Sequence, residues 1–178
     1  MKKWLWLEDQ ISTVEDLRST LTKLGLSMDL YQTPSQLIDY LVDIKISYPD
    51  QLKNIGLILD VMLTAQRYIT CPVKWYGGEQ PLYLPTQDGY DAGLIFYEKL
   101  ILGIDISKKP LWNPPPPVLF LTVLHTDFKD TEQRLEVIRT EWARAYSIKP
   151  EQARVKWLRK WEANLDTLKE IFKEGEEL

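Results

Sequence analysis

Ile55-Gly56-Leu57-Ile58-Leu59-Asp60, continued by Val61-Met62-Leu63, is the stretch on which the fold turns. An apolar run this short predicts a strand buried on both faces, as in a parallel sheet. A carboxylate at its C-terminal end then projects into the crevice where open α/β sheets hold their ligands. Alone, Asp60 has a plainer reading, as a cap for the turn that follows.

Outward from that run the chain alternates strands and helices. Trp4 to Leu7 reads as a short buried strand ending at the acidic pair Glu8-Asp9. Ser12-Thr13-Val14-Glu15 has capping-box spacing ahead of Val14, Leu17, Leu21 and Leu24, and Gly25 stops that helix. Leu26, Met28 and Leu30 alternate with polar neighbours as an edge-like strand. Thr33-Pro34-Ser35-Gln36 is a second capping box with proline at the first helical position, and Leu37, Leu41 and Ile44 continue the helix.

From Thr64 to Gln87 neither period holds. Three prolines, Gly77-Gly78 and the aromatics Tyr68, Trp75, Tyr76 and Tyr83 predict an ordered insertion or loop. Asp88-Gly89 is a turn and Ala92 to Leu102 a helix. Asn113 to Pro117 is a stiff connector to the apolar strand Val118–Leu124, which carries Thr122 near its end. A helix starts near Asp130, and Ala163 to Glu174 forms the last one. Alternation of this kind implies an α/β fold, a doubly wound five-stranded parallel sheet.

The 178 residues, 44% hydrophobic and 27% charged, suffice for one domain spanning 1–178, with the insertion at about 64–88. A net charge of −4 gives no footprint for nucleic acid. No segment approaches a membrane span, and the lone Cys71 suits a reducing compartment, so a cytoplasmic protein is expected. His125 is the only histidine and has no serine or cysteine partner fixed by the sequence, so it is not expected to be catalytic.

Glu8-Asp9, Asp60 and Thr122 lie at the ends of three strands, and a doubly wound sheet gathers such ends on one edge. Carboxylates brought together repel, so they need a cation or raised pKa values. Oxygen ligands without histidine or thiolate favour Mg²⁺ over zinc. A nucleophilic Asp beside Mg²⁺ suits an aspartyl phosphate.

With these residues the chain resembles a response-regulator receiver domain, the phosphoacceptor module of two-component signalling. The resemblance rests on Leu7-Glu8-Asp9-Gln10, Leu57-Ile58-Leu59-Asp60, Asp88-Gly89-Tyr90-Asp91-Ala92-Gly93-Leu94 and Pro117-Val118-Leu119-Phe120-Leu121-Thr122, in that order over nearly the whole chain. It implies the flavodoxin-like strand order 2-1-3-4-5. It makes Asp60 the phosphoacceptor and assigns Mg²⁺ to Glu8, Asp9, Asp60 and the Met62 carbonyl. The Thr122 hydroxyl would bind a phosphate oxygen. The implied partners are a sensor histidine kinase or phosphotransfer protein and a downstream protein, with no nucleic acid and no membrane. Such a module is not an enzyme beyond its own phosphorylation and dephosphorylation; an aspartyl-phosphate phosphatase would need a second Asp where Met62 stands.

Receivers also use a lysine after the fifth strand, usually followed by proline. Lys160, in Val155-Lys156-Trp157-Leu158-Arg159-Lys160-Trp161, is favoured over Lys149-Pro150 because Lys149 follows a helical pattern. Val155, Leu158, Trp161, Leu165 and Leu168 equally fit one long helix. The chain departs from the family in the long stretch between Asp60 and Gly89. Thr64 replaces the usual proline, Val123 the usual small residue after the threonine, and Trp161 the proline after the lysine. These departures leave a second possibility, a pseudo-receiver that serves as a phosphorylation-independent interaction module.

Overall fold

A computed structural model describes residues 2–123 and 129–173. Five parallel strands form the main sheet: β1 (Lys3–Leu7), β2 (Ser27–Tyr31), β3 (Ile55–Asp60), β6 (Val118–Thr122) and β7 (Val155–Arg159). Their spatial order is β2-β1-β3-β6-β7. Numbered along the main sheet alone this is 2-1-3-4-5, the flavodoxin-like doubly wound α/β order. All six residues of β3 are buried, as the uninterrupted apolar run requires of a central strand.

Helices cover both faces. Leu17 and Leu21 of α1 (Glu15–Lys23) and Leu168 and Phe172 of α6 (Leu165–Lys173) pack on one face with Trp4, Trp6, Ile58, Leu119 and Leu121. On the other, α2 (Pro34–Ser47), α4 (Ala92–Ile95) and α5 (Lys129–Tyr146) cover Leu5, Leu7, Leu57, Leu59 and Phe120. Each fully buried side chain of this size contributes roughly 1.5–3 kcal/mol by leaving water.

The Thr33 capping box forms: its hydroxyl accepts the Gln36 N–H at 3.3 Å, and Gln36 Oε1 accepts the Thr33 N–H at 3.3 Å. The Ser12 box does not. Ile11–Thr13 is a 3₁₀ turn, and the Thr13 hydroxyl donates back to the Gln10 carbonyl at 2.7 Å. Val14 therefore precedes α1 without a side-chain cap, and Glu15 and Asp16 supply negative charge to its first turn instead. The helix expected over Ala92–Leu102 changes type at Phe96, where a π-helical stretch runs to Ile101. That turn places Glu98 towards α5.

The segment 64–88 is more regular than the sequence suggests. The strands β4 (Tyr68–Cys71) and β5 (Leu82–Pro85) pair antiparallel outside the main sheet, with the single-turn α3 (Val73–Tyr76) between them. Each strand has only four residues, too few to display a period. The hairpin buries Ile69 and Cys71 and leaves Tyr68 and Tyr83 exposed. Trp75 anchors it: the indole donates to the Leu100 carbonyl at 2.6 Å, and Lys45 of α2 donates to the Trp75 carbonyl at 2.6 Å. Val155 to Leu168 is not one helix; β7, a 3₁₀ turn (Lys160–Glu162) and α6 follow in order. His125 and Glu174–Glu177 lie outside the described residues. Among the described residues no helix is long and apolar enough to cross a membrane.

Candidate functional site

The site forms where β1, β3, β6 and β7 end. The Glu8 N–H continues the ladder of β1 by donating to the Tyr31 carbonyl at 2.9 Å, which carries the Glu8 side chain into the protein. Glu8 is fully buried. Its Oε1 accepts the Gln10 N–H at 3.1 Å and its Oε2 accepts Lys160 Nζ at 2.7 Å. Asp60, the last residue of β3, accepts Lys160 Nζ on Oδ2 at 2.7 Å and the Met62 N–H on Oδ1 at 3.3 Å. One Asp60 oxygen thus takes the plain role of turn cap, and the other accepts the lysine.

Asp9 Oδ2 accepts the Thr64 N–H at 2.6 Å, while Asp9 Oδ1 is buried with no hydrogen-bond partner among the described residues. Thr64 stands where the resembled family carries proline. Its N–H, which proline lacks, is the group that fixes Asp9, and its hydroxyl accepts Gln10 Nε2 at 3.1 Å. Gly93 supports the site from below: a Cβ there would lie 2.2 Å from the Asp60 carbonyl oxygen. The Gly93 N–H donates to the Val61 carbonyl at 3.1 Å, so the helix start and the strand end are in direct contact.

Of the residues singled out in the sequence, Glu8, Asp9 and Asp60 offer oxygens that lie within 4.8 Å of one another. Lys160, the first residue after β7, bridges two of them. Thr122 is the buried last residue of β6, on the strand next to β3, where Leu121 pairs with Asp60. Lys149 sits exposed beyond α5, just ahead of the 3₁₀ turn Pro150–Gln152. Met62 follows the cluster directly in the chain, and its N–H is the donor to Asp60.

The electrostatics follow from burial. Desolvation first, then repulsion from Glu8, push the Asp60 carboxyl up to about 7, with Lys160 opposing the rise. Burial disfavours charge on Lys160, but the Asp60 and Glu8 carboxylates outweigh it and hold the ammonium above the ordinary lysine value. Three close carboxylates and one ammonium leave room for further positive charge. Asp9 Oδ1, buried and unpartnered among the described residues, is an oxygen that a cation would satisfy. Hard oxygen donors of this kind fit Mg²⁺: Glu8, Asp9 and Asp60 would hold it, with the Met62 carbonyl.

The raised Asp60 value has a consequence for stability without metal. The folded protein holds the Asp60 proton more tightly than the unfolded chain does, so stability from this group is intact below pH 4 and is lost as pH rises through 7. Asp60→Asn removes that loss, and Lys160 keeps Glu8 as its partner. In EDTA at pH 8 the variant is expected to be about 1–3 kcal/mol more stable to urea, with the gain vanishing near pH 4. Equal stabilities at pH 8 would show that Asp60 ionises at no cost.

A second charged cluster flanks the site. Arg134 of α5 donates from Nε and Nη2 to the two Glu98 oxygens, both at 2.8 Å, and from Nη1 to Asp91 Oδ2 at 2.7 Å. Asp91 Oδ1 accepts the Gln87 N–H at 2.8 Å. Nothing in the sequence singles out Arg134, because an i-to-i+36 pairing leaves no local pattern, and the residue name Thr64 does not show that its backbone N–H holds Asp9.

No family model matches the chain, and no curated protein matches it. Among solved structures it is similar to a fusion protein carrying a yeast Spc42 trimeric coiled coil, at 20% identity and a TM-score of 0.45, over 97% of this chain and 76% of that one. It is also similar to the receiver domain of the Francisella response regulator 1452, at 13% identity and a TM-score of 0.44, over 98% of this chain and 94% of that one.

Proposed function

We propose that the protein is a response-regulator receiver that accepts a phosphoryl group on Asp60 and signals through protein–protein contacts. The observation that carries this reading is the meeting of Asp60 with Glu8, Asp9 and Lys160 at the C-terminal edge of a 2-1-3-4-5 sheet. The donor is the phosphohistidine of a sensor histidine kinase or a phosphotransfer protein, and the setting is the cytoplasm. The chain is not an enzyme towards a separate substrate; its chemistry is confined to its own phosphorylation and dephosphorylation.

In the step proposed, an Asp60 carboxylate oxygen attacks phosphorus, an O–P bond forms, and the P–N bond to the donor imidazole breaks. The imidazole leaves with the bonding pair and takes a proton from water. Mg²⁺ bound by the acidic cluster supplies charge neutralisation for the transferring phosphoryl group. Lys160, already on Asp60 Oδ2, stays with the phosphorylated side chain as its counter-ion. Thr122, on the adjacent strand end, binds a phosphate oxygen through its hydroxyl. The phosphoryl group, carrying about −1.5 to −2 where the carboxylate carried a single charge, then biases the surface around Thr122 between two states. Thr64, four residues after Asp60, holds Asp9 through its backbone N–H and so belongs to the site.

Acetyl phosphate with Mg²⁺ is expected to add one phosphate, seen by intact mass, and Asp60→Asn to abolish it. Unlabelled, folded wild-type protein facing its kinase would overturn the reading. A second reading, a pseudo-receiver acting as a phosphorylation-independent interaction module, is favoured by one feature. Lys160 bridges two of the three carboxylates and offsets one of their charges, so the cluster is partly compensated without phosphate chemistry. Partner affinity that is unchanged in Asp60→Asn and Asp60→Glu would select it.

A further inference from the structure

A backbone N–H holds each carboxylate of the acidic cluster by one oxygen. Gln10 donates to Glu8 Oε1 at 3.1 Å, Met62 to Asp60 Oδ1 at 3.3 Å, and Thr64 to Asp9 Oδ2 at 2.6 Å. Lys160 takes the second oxygen of Glu8 and of Asp60. Asp9 Oδ1 alone of these oxygens is buried with no hydrogen-bond partner among the described residues. The turn that carries Thr64 is pinned from both sides. The Leu63 N–H donates to the Gly89 carbonyl at 3.0 Å, and the Gln66 N–H to the Leu63 carbonyl at 3.3 Å. A Cβ at Gly89 would collide with the Leu63 carbonyl oxygen, so glycine is what lets the two segments meet. On the side of β1, Gln10 Nε2 donates to the Thr64 hydroxyl at 3.1 Å. The Thr64 N–H is therefore aimed at Asp9 by its surroundings.

We propose that Thr64 is a positioning residue that sets which cation the cluster takes, because its N–H restricts Asp9 to a single ligand oxygen, Oδ1. The inference rests on the reading of the cluster as a divalent-cation site. Mg²⁺ demands a near-octahedral shell of single oxygens and keeps several waters, whereas Ca²⁺ accepts a carboxylate by both oxygens at once. A carboxylate with one oxygen committed to a backbone donor suits the first ion and handicaps the second. Hydrogen bonds to ligating carboxylates act in this way at metal sites, by fixing the ligand rather than by touching the metal. Proline, which the resembled family carries at this position, has no N–H to give.

The test is a calorimetric titration of the full chain with MgCl₂ and, separately, with CaCl₂. Thr64→Pro is expected to weaken Mg²⁺ about tenfold, the loss typical when a metal ligand is deprived of its partner, while Ca²⁺ binding holds or tightens. Thr64→Ala keeps the N–H and is expected to bind both ions as the wild type does. A folded Thr64→Pro protein with an unchanged ratio of the two affinities overturns the proposal, and so does the same shift in Thr64→Ala. Amide NMR of the wild type tests it without any variant. The Thr64 amide proton is expected to stay downfield and protected from exchange in saturating Mg²⁺. Its release there would mean that the cation takes both Asp9 oxygens, and would overturn the proposal as well. Wild-type protein that binds neither ion overturns the metal site and this inference together. Selectivity that follows Thr64 in a protein that acetyl phosphate cannot label would uphold this inference and remove the phosphoryl reading alone.

Discussion

Lys160→Met is expected to lose about 3–5 kcal/mol of stability at pH 8 in EDTA, the cost typical of removing one partner from a buried ion pair. The Lys160 side chain is 13% exposed, that of Asp60 3%, and that of Glu8 0%. Removing the ammonium leaves two carboxylates in low dielectric, each short of a charge-assisted bond that water cannot replace. The pH dependence gives the cause away. Without Lys160 the Asp60 carboxyl rises further, so the folded protein takes up its proton earlier as pH falls. The deficit should therefore shrink towards pH 5 and grow towards pH 8. Urea unfolding at the two pH values measures it. A deficit of the same size at both would place the effect in lost packing of the lysine stem rather than in charge.

Arg134→Met is expected to cost about 2–4 kcal/mol, somewhat less because the guanidinium is 22% exposed and water screens part of the field. Glu98, with its side chain 9% exposed, loses both of its bonds to Arg134, and Asp91 loses one. Arg134→Lys separates charge from geometry. An ammonium cannot span both Glu98 oxygens and Asp91 as the planar fork does, so roughly half the loss should remain. Because Arg134 ties α5 to the turn at Asp91 and the π-helical stretch at Glu98, the variant also frees the helix that follows Thr122. Faster amide hydrogen exchange in the first turns of α5 is the accompanying result. Wild-type exchange and an unchanged unfolding midpoint would mean that the cluster contributes nothing.

The fold was legible where burial is continuous. The short apolar run Ile55 to Leu59 reads as a strand covered on both faces, and Thr33 to Gln36 carries its helix start in its own side chains. The hairpin at 64–88 was hidden because its strands have four residues each. Its anchor is also distant in sequence, since Lys45 and Leu100 hold Trp75 from outside the segment. Ser12 misled because capping-box spacing says nothing of competitors: Thr13 found the Gln10 carbonyl first.

The candidate site was legible as a set of strand ends rather than as contacts. Periodicity placed Glu8, Asp9 and Asp60 on one edge, and the structure brings their oxygens within 4.8 Å. Lys160 is favoured over Lys149 in the sequence because Lys149 follows a helical pattern, and the ammonium that bridges Glu8 and Asp60 is that of Lys160. Thr64 shows what a residue name conceals. As a side chain it is only a missing proline, whereas its backbone N–H, donated to Asp9, is a structural part of the site.

Beryllofluoride, a stable stand-in for the phosphoryl group on an aspartate, gives the most direct test of the phosphoacceptor claim. Amide NMR spectra of the protein with Mg²⁺ are recorded before and after its addition. Saturable shifts centred on Met62, Thr122 and Lys160, absent without Mg²⁺ and absent in Asp60→Asn, are the predicted result. Resonances that stay in place in folded wild-type protein, with both Mg²⁺ and beryllofluoride in excess, would contradict it.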